Sequence, residues 1–426
     1  MISIERRNLT FVSLLGFLVS MGFGLIVPIM PFYVEILGGN AFQLGILLSS
    51  FMVTRAIFAR YFGRLSDAIG RKRIIVVGAV LYAVLGIMFT FPGHWTGLIL
   101  VRGLQGVASA MVWPVGEALI VDSAPEDRRG FAISIYMVTS NVGFAAGPFA
   151  GGLLLWTARN PLGMGDLASF HFPFYFIAIF SGIAALLVQS FVTDIVKPGV
   201  ERGAANPAET PPPQLPRSMR KQVNILFLNN LGNGFSFSLI GFLPIYYMKD
   251  FLGLNEVVAG TVIGAAMIVG LGVNLPSGYI SDRIGRKPLV VFGSYMARGS
   301  SVLIPFSASV YQLASLMVFR SFAFQMSQPA LRALQADLFP PRIRGKLIGT
   351  SQALFNVGAV FGAPLGGFLY DALRGIESLG SIPLPGVALP FLVSSILGII
   401  TTSLILLYVR ETRKKVGKEP GLPTEL

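Results

Sequence analysis

A chain of 426 residues in which 53% are hydrophobic and only 12% are charged, with a mean hydropathy of +0.70, carries more apolar side chain than a soluble core could bury. That composition excludes a soluble domain and describes an integral membrane protein. The absence of cysteine excludes disulfides, thiol catalysis and cysteine-ligated metals, while the net charge of +13 raises nucleic acid as a partner until the basic residues are located.

Twelve apolar runs, each near the roughly 20 residues needed to cross a bilayer core, follow one another along the chain. The first, at 9–32, stands behind Arg6 and Arg7; its length and the lack of a small-residue cleavage site make it a retained helix rather than a signal peptide. Runs at 43–62, 74–92, 97–121, 131–156 and 172–193 come next. The polar stretch "KPGVERGAANPAETPPPQLPRSMRKQ" at 197–222 reads as a flexible linker. Six further runs, at 224–248, 257–281, 289–307, 311–336, 347–370 and 388–409, precede a basic tail. Period-2 alternation is absent, so the spans are helices and not barrel strands. Of 33 Lys and Arg, 24 lie in the N-terminus, in the breaks after even-numbered runs and in the tail. Only Arg159, Lys249 and Arg374 lie in the other breaks. The asymmetry predicts both termini and the linker in the cytoplasm and the protein in the cell membrane, with lipid and not nucleic acid as its surroundings.

The chain also repeats itself. "GRLSDAIGRKR" at 63–73 returns as "GYISDRIGRKP" at 278–288, an offset of 215. At that offset Gly63, Asp67, Gly70, Arg71 and Lys72 map onto Gly278, Asp282, Gly285, Arg286 and Lys287. Pro114, Asp122, Asn141, Gly143, Gly147 and Gly152 map onto Pro329, Asp337, Asn356, Gly358, Gly362 and Gly367. The expected fold is therefore an all-α polytopic membrane protein, with twelve transmembrane helices in two pseudo-symmetric six-helix bundles. The expected divisions are 1–196, the linker 197–222, and 223–426. An even number of spans per copy makes the repeats parallel, an arrangement suited to opening on alternate sides.

These motifs resemble the major facilitator superfamily along essentially the whole chain. The two loop sequences are similar to its signature between helices 2 and 3 and between 8 and 9. "LILVRGLQGVASA" at 98–110 resembles its helix-4 arginine motif, and "GFAAGPFAGG" at 143–152 its helix-5 antiporter motif. "GLIVPIMPFY" at 24–33 resembles the first helix of the twelve-span drug/proton antiporters. The resemblance implies a secondary transporter with alternating access and no cofactor, a proton as coupling ion and a small-molecule substrate; nothing in the sequence demands an oligomer, and a monomer is expected to perform the cycle. It implies that Asp67, Arg71 and Asp122 form a charge network at the cytoplasmic side, mirrored by Asp282, Arg286 and Asp337. It also associates Arg102 with proton coupling. One departure stands out: "SMGFGLIVP" lacks the acid that many such antiporters carry before the proline motif.

Ionisable side chains in hydrocarbon cost at least about 2.5 kcal/mol each, so those inside the spans are functional candidates. They are Arg55, Arg60, Arg102, Glu117, Arg298, Arg320 and Arg332. Glu117 is the leading proton carrier. At the 215 offset it corresponds to Arg332, which predicts a pair that forms across the seam when the cytoplasmic side closes and separates when it opens. The competing expectation is a permanent Glu117–Arg60 pair within one bundle. Gly143, Gly147 and Pro148, with Gly358 and Gly362, are expected at the inter-domain seam, through close approach of helix backbones. Trp113, Asn229, Asn233, Phe235, Gln325 and Gln328 are the expected cavity lining, suited to amphipathic compounds. The reading is proton-coupled efflux of drug-like or lipophilic compounds; sugar or metabolite efflux or uniport, and a non-transporting receptor or sensor, remain alternatives. No nucleophile-base pair, metal cluster or phosphate loop points to an enzyme.

Overall fold

The computed structural model describes residues 4–194, 216–340, 343–378 and 384–412, and within them the chain is helical with no strand. The first half contains α1 (Ile4–Ile36), α2 (Ala41–Ile69), α3 (Arg71–Met88), α4 (Trp95–Ser123), α5 (Arg129–Arg159) and α6 (Asp166–Phe191). The second contains α7 (Arg217–Leu239), α8 (Leu243–Asp250), α9 (Glu256–Ile284), α10 (Arg286–Leu303), α11 (Val310–Leu338), α12 (Arg344–Leu373) and α13 (Ala388–Tyr408). Ten segments are long and apolar enough to cross a membrane on length and composition alone, α7 and α8 counting as one. α3, whose 18 residues open on Arg71, Lys72 and Arg73, and α11, interrupted by Arg320 and Arg332, fall outside these ten but pack among them and complete twelve crossings. Most of the predicted linker, and the tail beyond Thr412, lie outside the described residues; α7 begins inside the predicted linker, at Arg217.

The repeat explains the local structure. Asn40 and Asn255, 215 positions apart, each accept a backbone N–H three residues on and so cap α2 and α9. Gly70 and Gly285 adopt φ of 102° and 120°, a region that side chains avoid, and turn the chain sharply from α2 into α3 and from α9 into α10. The single span expected at 224–248 is broken between α7 and α8. Pro244 stands at the start of α8, where a helix needs no N–H and tolerates its ring.

Each half is a bundle. α1 lies along α5, α2 along α4 and α3 along α6; α7 lies along α12, α9 along α11 and α10 along α13. Between halves, α2 meets α12 and α5 meets α9. Close backbone and hydrogen-bonded contacts across this seam lie toward one end of these helices. A Cβ at Gly45 would overlap the carbonyl of Ala363, and one at Gly260 the carbonyl of Pro148. These two contacts are related by the 215 offset at both partners. The apolar core agrees: one cluster runs through the first half and into the matching end of the second, through Leu239, Tyr246, Ala259 and Tyr370. A separate cluster around Leu226, Leu289, Leu334 and Val409 fills the opposite end of the second half alone. The halves thus share a core at the face away from the described chain ends, here the far face. They part toward the face that carries those ends and most of the arginines and lysines, here the basic face.

Candidate functional site

Charge seals the far face. Lys249, in the last turn of α8, pairs with Glu35 of α1 and lies 3.6 Å from Asp250. Arg159, at the end of α5, pairs with Glu256 at the start of α9, a carboxylate side chain only 5% exposed. Arg374 stands 3.8 Å from Asp250, which accepts a hydrogen bond of 3.0 Å from the Tyr370 hydroxyl. Asp371 of α12 accepts the backbone N–H of Phe42 at 2.8 Å, and so caps α2 from the other half. Of the three basic residues that broke the charge asymmetry of the sequence, Arg159 and Lys249 therefore bridge the halves, and Arg374 lies beside Asp250 at the same face of the second half. Ser49 adds a hydrogen bond of 2.6 Å to the Val360 carbonyl across the same seam.

At the basic face each half carries the same brace. Arg71 reaches Asp122 at 2.9 Å and Asp67 at 3.3 Å, tying α3 to the ends of α4 and α2. Arg286 pairs with Asp337 and lies 3.7 Å from Asp282. Two acids missed by sequence reasoning complete the braces. Asp194, just past α6, accepts the backbone N–H groups of Arg71 and Lys72 at 3.0 Å each. Glu411, just past α13, accepts those of Arg286 and Lys287 at 3.1 and 2.9 Å. Each thus places a negative charge on the N-terminus of a helix that begins with basic residues. The signal was present as "FVTD" at 191–194 and "YVRE" at 408–411, displaced by 217 instead of 215. Glu411, in the basic tail, thus takes part in the fold through these two backbone contacts. Asn8 ties α1 to the same corner, with its amide bonded to Ser123 and to the backbone of Thr193.

Between the two faces, at mid-depth, the first half holds a cavity of about 240 Å³. Phe23, Phe51, Trp113 and Phe144 supply aromatic walls, and Ser20, Arg55, Ser140 and Asn141 supply polar groups. Arg102 lies behind the walls, 2% exposed, with its guanidinium 4.7 Å from the Phe23 ring centroid and 4.9 Å from that of Phe51. It donates to Gln105, while its Nε is buried without a partner. Glu117 is one helical turn from Trp113 toward the basic face, beyond the kink-forming Pro114. Among the described residues it makes no ion pair or hydrogen bond, so neither Arg60 nor Arg332 holds it. The permanent Glu117–Arg60 pair is absent, and the Glu117–Arg332 pair is unformed where the halves stand apart. Tyr136, with a buried, unpartnered hydroxyl, lies within reach of the Glu117 charge and has its ring centroid 6.1 Å from that of Trp113.

Of the six predicted lining residues, only Trp113 lines this cavity. Asn233 is engaged by Arg298 at 2.7 Å, Asn229 is 2% exposed, and Gln325 packs against Gly270. Phe235 and Gln328 are half-buried elsewhere in the second half. The backbone of Phe235 is the surface on which Gly358 and Gly362 pack. This corrects the seam assignment as well. Gly143 and Gly147 face Phe17 and Gly24 of α1, and Gly358 and Gly362 face α7, so these four glycines pack within one half each. The next residues around the helix do cross: the Pro148 carbonyl meets Gly260, Gly152 meets Val257, and Gly367 meets Ala41.

Comparison with known proteins bears on the whole chain. A family model described as Major Facilitator Superfamily matches residues 12–273 and again 225–425. An uncharacterised MFS-type transporter of Methanocaldococcus jannaschii is 26% identical over 86% of this chain and 92% of its own. Multidrug resistance protein 2 of Bacillus subtilis is 24% identical over 87% of this chain and 90% of its own. Among solved structures, a bacterial homologue of the human lysosomal transporter Spinster, inward-facing and unoccupied, superposes with a TM-score of 0.78. It is 15% identical, with 96% of this chain and 97% of that one covered.

Proposed function

The chain belongs to the major facilitator superfamily, and on that premise we propose that it exports amphipathic, drug-like organic compounds in exchange for protons. The observation that carries the reading is an aromatic cavity at mid-depth in a molecule sealed at its far face and parted at its basic face. With the basic face in the cytoplasm of the cell, as the charge asymmetry argues, this is the loading state of an exporter. A substrate from the cytoplasm or inner leaflet would settle against Trp113 and Phe144. Separation of the far-face pairs and closure of the basic face would then release it outside. The relative in Bacillus subtilis, a multidrug resistance protein, supports the substrate class. One chain contains both halves of the cycle, so a monomer suffices.

Glu117 is the proton carrier in this scheme. Unpaired in the parted state, it meets Arg332 across the basic face as the halves close, and protonation removes the attraction. Occupancy by a proton and the position of the gate are thereby coupled. The test is uptake of an amphipathic dye into proteoliposomes, with and without an imposed pH gradient, for the native protein and Glu117→Gln. Loss of gradient-driven flux with retention of dye exchange supports the assignment. Dye flux indifferent to pH in both proteins would make the carrier a uniporter, and absence of saturable flux would leave only a sensor.

A further inference from the structure

We propose that the substrate carries a negative charge on an aromatic group, and that Arg55 is its counter-ion in the mid-depth cavity. The inference rests on the carrier reading above and concerns its substrate class. Arg55 is the sole charged group lining the cavity. It is exposed there and, among the described residues, has no ion-pair or hydrogen-bond partner.

An arginine in a membrane interior without a counter-charge is costly, and a bound carboxylate, sulfonate or phosphate offsets that cost through charge-assisted, two-pronged hydrogen bonds. Arg55 is also not an isolated charge. Arg102 stands behind Phe23 and Phe51, and in the second half Arg298, among the described residues, has an amide, Asn233, and no carboxylate as its side-chain hydrogen-bonding partner. Glu117 is the single intramembrane acid opposed to these cations. A positively charged interior concentrates anions and disfavours lipophilic cations. The walls define the rest of the ligand. Four aromatic rings around about 240 Å³, below the roughly 300 Å³ of a site that encloses a whole drug-sized molecule, fit a flat anionic ring system whose remainder extends into the parted cleft.

The experiment compares two dyes with one xanthene scaffold, carboxyfluorescein as the anion and rhodamine 123 as the cation, in counterflow into proteoliposomes of phosphatidylcholine. The expected result is saturable carboxyfluorescein exchange. Its rate relative to rhodamine should fall at least about tenfold in Arg55→Gln and be largely kept in Arg55→Lys, as for loss and retention of one charge-assisted contact. Thermal stabilisation of the purified protein by carboxyfluorescein, weakened by the same substitution, gives a second readout that needs no transport. Saturable rhodamine exchange without carboxyfluorescein exchange, or an unchanged dye ratio in Arg55→Gln, overturns the anion proposal and leaves the carrier standing. Neither dye moving or stabilising the folded protein overturns both. Suppression of carboxyfluorescein exchange by added phosphatidylglycerol would assign the arginine to a lipid headgroup and overturn the aromatic-solute version.

Discussion

Arg71 holds two carboxylates of unequal standing. Asp122 is 15% exposed and Asp67 48%, so the first contact is largely withdrawn from water and the second is screened by it. Asp122→Ala is expected to cost about 1.5–3 kcal/mol, the range for hydrogen bonds to charged groups, and Asp67→Ala less than about 1 kcal/mol. Unfolding of the purified protein should show the larger drop in midpoint for Asp122→Ala. Asp194→Ala should cost about 1 kcal/mol through loss of a helix cap, and Glu411→Ala, in the more exposed mirror site, somewhat less. The network of Asp67, Arg71 and Asp122 was legible through the resemblance of its loop motif to a family signature, and the undisturbed offset carried it to the mirror residues. Asp194 and Glu411 were not, because a two-residue displacement hides their equivalence and a carboxylate in a basic tail looks like surface charge. The bonding of Asn233 to Arg298 was likewise hidden, being a contact between helices 65 positions apart.

The helices themselves were readable from apolar length, and their packing from small residues, but the direction in which each glycine points was not. Glycines at 143, 147 and 151 share one stripe of α5, which lies on α1, while Gly152 is turned by about 100° and faces α9. The motif therefore serves two seams: Pro148 meets the other half as expected, whereas Gly143 and Gly147 lie against α1 of their own half. Substitutions separate the roles. Gly147→Ala forces a methyl into the α1 backbone and should destabilise the first half by roughly 1–3 kcal/mol, as overpacking does. Gly45→Ala and Gly260→Ala intrude on carbonyls of the opposite half and should instead shift the population toward a parted far face. Because the chain has no cysteine, a pair introduced at the far ends of α2 and α12 can carry spin labels without background; their separation should lengthen in Gly45→Ala and stay constant in Gly147→Ala.

For the molecule as a whole, the far-face seal was the least legible part. Arg159, Lys249 and Arg374 looked like residues that merely failed to follow the charge asymmetry, since nothing local connects Glu35 with Lys249. Tertiary folding makes Arg159 and Lys249 the clasp between halves, while Arg374 stands beside Asp250 within the second half. Lys249→Glu should set two or more carboxylates against one another and favour a parted far face, and the double exchange Glu35→Lys with Lys249→Glu should recover most of the loss, a coupling measurable by a double-mutant cycle on dye exchange. The paired contacts Gly45 to Ala363 and Gly260 to Pro148 have a further consequence. Most positions that the repeat preserves are mechanical, as caps, braces, turns and seam glycines, with Asn141 of the cavity wall, matched by Asn356, the exception. Positions at which the copies differ are chemical: Arg55 against Gly270, Trp113 against Gln328, Glu117 against Arg332. A duplicated ancestor thus passed on its hinges twice and its cargo chemistry once. Descendants of such a chain can exchange one cargo for another by drift at the unmatched positions, with the inherited machinery left untouched.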